Sequence, residues 1–195
     1  ELKENHDVFV ITTTEWRGFG SLFPRMEIRS GVRVYRFYPL NIFSFANINE
    51  KPFALRILWS VLDFWNIHSM VVVRSILFRE KPHVVMVHAL KGLSYGVATL
   101  LNMMKVCWIF TPHDVQLVVP SGRFTAGEEE KIESPFFRAY VWLTKTIVGS
   151  PSLVISSSRF LLDFYQSRGF FPRSRCQVLA SPIPKFKSID ASHEQ

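Results

Sequence analysis

The chain has 195 residues, 48% of them hydrophobic, 20% charged and 14% aromatic. That length fits one large domain at roughly 100–200 residues per domain, and so apolar a composition excludes disorder over most of it. The net charge of +7 suits anionic partners, but no paired-aromatic RNA signature, helix-turn-helix spacing or zinc-finger pattern accompanies it, so nucleic acid is not an expected partner.

Residues 1–7 are polar and helix-like, with no leader pattern, and the chain is expected to begin inside an element of a longer protein. Residues 8–12 read as a strand. Residues 17–36 carry five arginines against the single acid Glu27, a patch suited to an anionic membrane surface. Within it, residues 32–37 alternate in polarity and are expected to form an edge strand. Residues 53–79 are long enough for one bent helix or two consecutive ones, closed by Pro82. A core helix is the expected reading, with an interfacial membrane helix, which the aromatic side chains and nearby basic residues would suit, as the alternative. No stretch free of Asp, Glu, Lys and Arg exceeds thirteen residues, against the ~20 apolar residues of a membrane span.

Residues 84–88, 106–111, 153–156 and 177–180 are short apolar runs of the kind buried on both faces of a parallel sheet. Between them, residues 92–105, 134–148 and 158–168 have helical spacing, the last opening on serines suited to capping and stopping at Gly169. Cys107 and Cys176 sit in apolar runs and read as buried free thiols. Past Ser181 the chain carries two prolines and turns polar, as a linker or tail would. The alternation predicts an α/β fold: a doubly wound, mostly parallel sheet with helices on both faces, over residues 1–180, followed by a tail over 181–195.

In such sheets ligands bind at the carboxyl ends of the strands. Those ends carry Arg17, Gly18 and Gly20 after the first strand, Lys91, Gly92 and Ser94 after the third, His113 and Asp114 after the fourth, and Ser157, Ser158 and Arg159 after the fifth. Lys91 and Gly92, opening a helix, could hold an anion or a hydroxyl. His113 could bond a sugar hydroxyl or stabilise developing charge, although a lone histidine more often satisfies a loop carbonyl. His88 reads as structural, in a more central strand, and no third ligand of suitable spacing joins it and His113, so no metal is expected. No G-x-G-x-x-G, Walker A or G-x-S-x-G motif is present.

The segments HDVFVIT, KPHVVMVHALKGLS, FTPHDVQLVVPSG, SPSLVISSSRFLLDFYQSRGF and VLASPIP, in this order, resemble the amino-terminal domain of family 4 retaining glycosyltransferases of the GT-B architecture. The resemblance implies a Rossmann-like, acceptor-side domain lacking its first strand and glycine-rich loop, with the tail leading toward an absent donor-binding domain. It implies His113 as the catalytic histidine near the transferred sugar. Arg17, Gly18, Gly20, Lys91, Gly92, Ser94, Asp114, Ser157, Ser158 and Arg159 are implied as substrate-binding. It also implies a nucleotide-sugar donor for the intact enzyme, no cofactor in this fragment, and a glycan or lipid-linked acceptor at the cytoplasmic face of a membrane. The fragment alone is expected to be inactive. The alternative is a non-catalytic module that binds carbohydrate or a membrane surface.

Overall fold

Runs of residues too short for helices satisfy their backbone groups by pairing side by side as strands. In the computed structural model, which describes residues 2–123 and 132–180, four such runs form one all-parallel sheet. They are β4 (Val84–Val87), β5 (Cys107–Phe110), β6 (Leu153–Ser156) and β7 (Arg175–Val178), adjacent in that order. The expected burial on both faces fails at the two outer strands, where Val84, Met86 and Val178 are exposed. A second sheet holds β1 (Phe9–Thr13), β2 (Arg25–Arg29) and β3 (Val32–Phe37), ordered β1-β3-β2, with β1 and β3 parallel. The described residues also form six α-helices, α1 (Leu2–Asn5), α2 (Phe53–Phe64), α3 (Ile67–Glu80), α4 (Gly96–Met104), α5 (Pro135–Val148) and α6 (Arg159–Gln166), and two short 3-10 helices at Phe19–Leu22 and Phe45–Glu50.

One hydrophobic cluster joins the two sheets. Tyr35 and Phe37 of β3 pack with Val73 and Ile76 of α3, and the cluster continues through Leu101 of α4 to Trp108, Val154 and Leu162. The turn between α4 and β5 is fixed by Asn102, which accepts from Trp108 Nε1 at 2.9 Å and donates to Val148 O at 3.0 Å. The fold is therefore the expected α/β, Rossmann-like arrangement of a parallel sheet flanked by helices.

Several local expectations need correction. Residues 32–37 are the centre of their sheet, because β2 pairs antiparallel with β3 across the Ser30 and Gly31 turn. The helix expected from residue 92 begins at Gly96, so Lys91 and Gly92 belong to a turn and open no helix. Cys107 is exposed and Cys176 half-buried, because alternation along β5 sends Trp108 and Phe110 into the core and leaves Cys107 outside. The arginine patch is largely spent internally. Arg29 and Arg36 both bond Glu27, at 2.8 and 2.6 Å, and Arg33 bonds Asp7 and Glu80, at 3.0 and 2.9 Å. Pairing with Arg36, then Arg29, holds the Glu27 carboxyl below its ordinary range. The expected tail at 181–195 lies outside the described residues.

Candidate functional site

The parallel sheet delivers its strand ends to one edge, and the chain turns there in three loops. His88 follows β4 directly and His113 follows β5 by three residues. With Val87 paired to Phe110 in the β4–β5 register, the two imidazoles become neighbours. His88 Nδ1 and His113 Nε2 lie 3.2 Å apart, and the rings lie edge to edge, with centroids 5.4 Å apart and 21° between planes. Both are exposed. The strand carrying His88 is thus not the central one expected. It ends the described sheet, and the His88 ring is half of a histidine pair. Partial burial, then the proximity of His113, lowers the pKa of His88 and favours a neutral ring. Among the described residues no group of three His, Cys, Asp or Glu is placed to hold a metal ion.

The loop after β5 is braced from below. Asp114 Oδ1 accepts from Gln116 N at 2.9 Å, closing a turn, and Asp114 O accepts from the Tyr165 hydroxyl of α6 at 2.6 Å. Thr144 and Tyr140 of α5 donate to Leu117 O and Gln116 O at 2.6 and 3.0 Å. A Cβ on Gly122, at φ +72°, would stand 2.9 Å from the Asp114 carboxylate, so the loop closes this tightly only with glycine there. Asp114 therefore shapes the loop that presents His113.

The turn after β4 is built around a buried carboxylate. Asp63 of α2 is 1% exposed and accepts from Gly92 N at 2.9 Å, and its other oxygen has no partner among the described residues. Burial pushes Asp63 up to about 7, opposed by the Gly92 bond and by Lys91. Gly92 has φ +85° and faces the Phe45 ring, which a Cβ would meet at 3.2 Å. Lys91 donates to Pro120 O at 2.8 Å, tying this turn to the loop after β5. Burial lowers its pKa, and Asp63 and Asp114 oppose that. Ser94 is fully buried, and its hydroxyl accepts from Asn66 N and Gly96 N, both at 3.0 Å. It cannot meet a substrate. It positions the starts of α3 and α4.

After β6, the three expected residues divide their work. Ser158 caps α6 by accepting from Leu161 N at 3.2 Å, while Ser157 and Arg159 are exposed beside it. Arg17 and Gly18 lie in the loop after β1, and Gly20 in the short 3-10 helix that follows it. Gly18 O accepts from Ser21 N and Oγ, and Ser21 O accepts from Tyr38 N. A cleft of about 560 Å3 opens beside that loop, lined by Glu15, Trp16, Tyr38, Asn41, Ser44 and Asn47 among others. It contains neither His88 nor His113 and none of the residues expected from the sequence. Nothing in their local sequence marks them, since Glu15 and Trp16 meet the 38–47 segment through the β1–β3 pairing, the Trp16–Tyr38 ring contact and the Trp16 N to Ser44 Oγ bond at 3.3 Å.

A family model, described as "Glycosyl transferase 4-like domain", matches residues 1–181. The chain belongs to this glycosyl transferase 4-like family. A relative from Klebsiella pneumoniae, described as an uncharacterized 42.6 kDa protein in cps region, is 25% identical over 164 residues. That match covers 83% of this chain and 43% of the relative, so the chain spans less than half the length of the protein it matches. Within the glycosyl transferase 4-like domain, the histidine pair, the Lys91 turn and the α6 start form one polar edge, with the cleft beside Trp16 at the ends of β1 and β3.

Proposed function

We propose that this domain is the acceptor-side half of a retaining glycosyltransferase. The intact enzyme moves a hexose-type sugar from a nucleotide-sugar donor to a hydroxyl of a glycan or lipid-linked acceptor, in cell-envelope polysaccharide synthesis at the cytoplasmic face of the membrane. The observation that carries the reading is the histidine pair, exposed at the carboxyl edge of a parallel sheet in a chain of this family. The cps region of the Klebsiella relative supports the polysaccharide acceptor. In this reading His113 contacts the transferred sugar, His88 sets the hydrogen on its Nε2, and Ser157 and Arg159 offer a hydroxyl and a cation to the donor side. Arg17, Gly18 and Gly20 border the acceptor cleft. No metal takes part.

The test is made on the full-length enzyme, with turnover and thermal midpoint measured on the same His113→Ala preparation. Losing a transition-state contact of about 1.4–2.7 kcal/mol lowers turnover roughly ten- to a hundredfold, with the midpoint unchanged because the ring is exposed. Unaltered turnover with a lowered midpoint would return His113 to a structural role. Diphosphate binding needs fixed donors and cations from both sides of a cleft, so this chain alone is expected to show no micromolar calorimetric binding of a nucleotide sugar.

A further inference from the structure

A surface helix ordinarily turns its apolar stripe inward. In α2 the outward face is the apolar one. Ala54, Leu58, Val61 and Trp65 fall at i, i+4, i+7 and i+11. The last three are 48%, 64% and 46% exposed, while only Trp59 and Asp63 of this helix are buried. The exposed Leu55, Ile57 and Leu62 widen the stripe, and Ile67 and Val71 extend it onto α3.

The segment Phe53–Glu80 is, by length and hydropathy, apolar enough to cross a membrane. It is nevertheless broken at Trp65 and Asn66, where Asn66 caps a new helix, and the inner face of α3 (Val72, Val73, Ile76 and Leu77) belongs to the core. A segment anchored in this way lies along a surface and does not pass through it.

The charges around the stripe select the partner. Arg74 lies on the outward face of α3 with Ile67 and Val71, and Lys51 precedes α2; neither has a carboxylate bonded to it among the described residues, and the one acid between them, Asp63, is buried. Lys51 and Arg74 sit over the Phe43 and Phe78 rings, 6.0 and 4.6 Å from the centroids. A second copy docking on this face by two-fold symmetry would set cation against cation. Anionic headgroups complement the rim, and the acyl boundary complements the stripe. We propose that the outward face of α2 seats the protein on an anionic lipid surface. This proposal is independent of the glycosyltransferase reading, because it is measured without donor or acceptor.

The test is co-sedimentation of the chain with vesicles of phosphatidylcholine, alone or with about 30% phosphatidylglycerol. Partition into the anionic vesicles is expected to be at least about tenfold stronger. Leu58→Glu with Val61→Glu should abolish it without moving the thermal midpoint, since both side chains project outward. Lys51→Gln with Arg74→Gln should weaken only the anionic preference. Should the glutamate variant misfold, quenching of tryptophan emission by brominated lipid, present in the parent chain and reduced in Trp65→Phe, reads the same contact. Wild-type protein left in the supernatant, equal binding to both vesicles, or full binding by the folded glutamate variant would overturn the proposal. So would a sedimentation-equilibrium dimer that the glutamate variant dissociates, which would give the face to a second copy.

Discussion

Asp63 shows how one side chain couples stability to pH. The folded protein, with Asp63 pushed up to about 7, keeps a proton that the unfolded chain releases near its ordinary 3.8. Stability is therefore full at low pH, declines between those two values and is level above them. Asp63→Asn removes this titration and keeps an oxygen for the Gly92 amide. The difference in unfolding free energy between wild type and variant should change by on the order of 4 kcal/mol from pH 4 to pH 8, read from urea unfolding at each pH. A difference that stays flat would show that Asp63 ionises in the fold as freely as in water. This role was not legible beforehand. A single Asp in an apolar helix reads as its solvated side, and its burial depends on Gly92, 29 residues away. His113 and Asp114 were legible because a polar run directly after a buried strand announces itself. Ser94 looked the same in sequence, and its φ of +131° and burial, which remove it from any substrate, come from the packing of α3 against α4.

Single elements separate signals that look alike in sequence. Ser157 and Ser158 are adjacent serines before a helix, yet only Ser158 accepts a bond from the first turn of α6. Ser158→Ala should cost about 1 kcal/mol of unfolding free energy, and Ser157→Ala less than about 0.5 kcal/mol, measured by denaturant titration. The reverse order would place the cap one residue earlier. The serine run was readable as a cap because capping is local chemistry. β2 carried a readable signal too. Arg25, Glu27 and Arg29 alternate with Met26 and Ile28, and the two residues before β3, Ser30 and Gly31, have φ of 50° and 76° as a tight hairpin turn requires. Its charge hid it: three of its five residues are ionised, and strand expectations lean on apolar runs.

For the whole molecule, one hydrophobic cluster shared by two sheets has a thermodynamic consequence. Tyr35 and Phe37 from one sheet and Trp108 and Val154 from the other belong to the same packed set, while no ladder joins the sheets among the described residues. Side-chain packing alone must make them unfold together. Thermal unfolding followed by far-ultraviolet circular dichroism and by tryptophan emission should give coincident midpoints. Two resolved transitions would mean that the sheets are separate cooperative units. At this scale the fold class was legible, since short apolar strands alternating with helices have few other solutions. The order of strands was not. The apolar run marks β4 as a strand but not which neighbour it takes, and the adjacency of β4 and β5 is what brings His88 to His113.

The short contact between those two rings also dictates what a bound hydroxyl can encounter. With both imidazoles neutral, the 3.2 Å gap holds one hydrogen, carried by either His88 Nδ1 or His113 Nε2. If His113 carries it, His113 Nδ1 is left as a lone pair and His88 Nε2 bears a hydrogen. If His88 carries it, both outer nitrogens exchange character. A ligand spanning the pair therefore always finds one donor and one acceptor, with their order set by which ring holds the shared hydrogen.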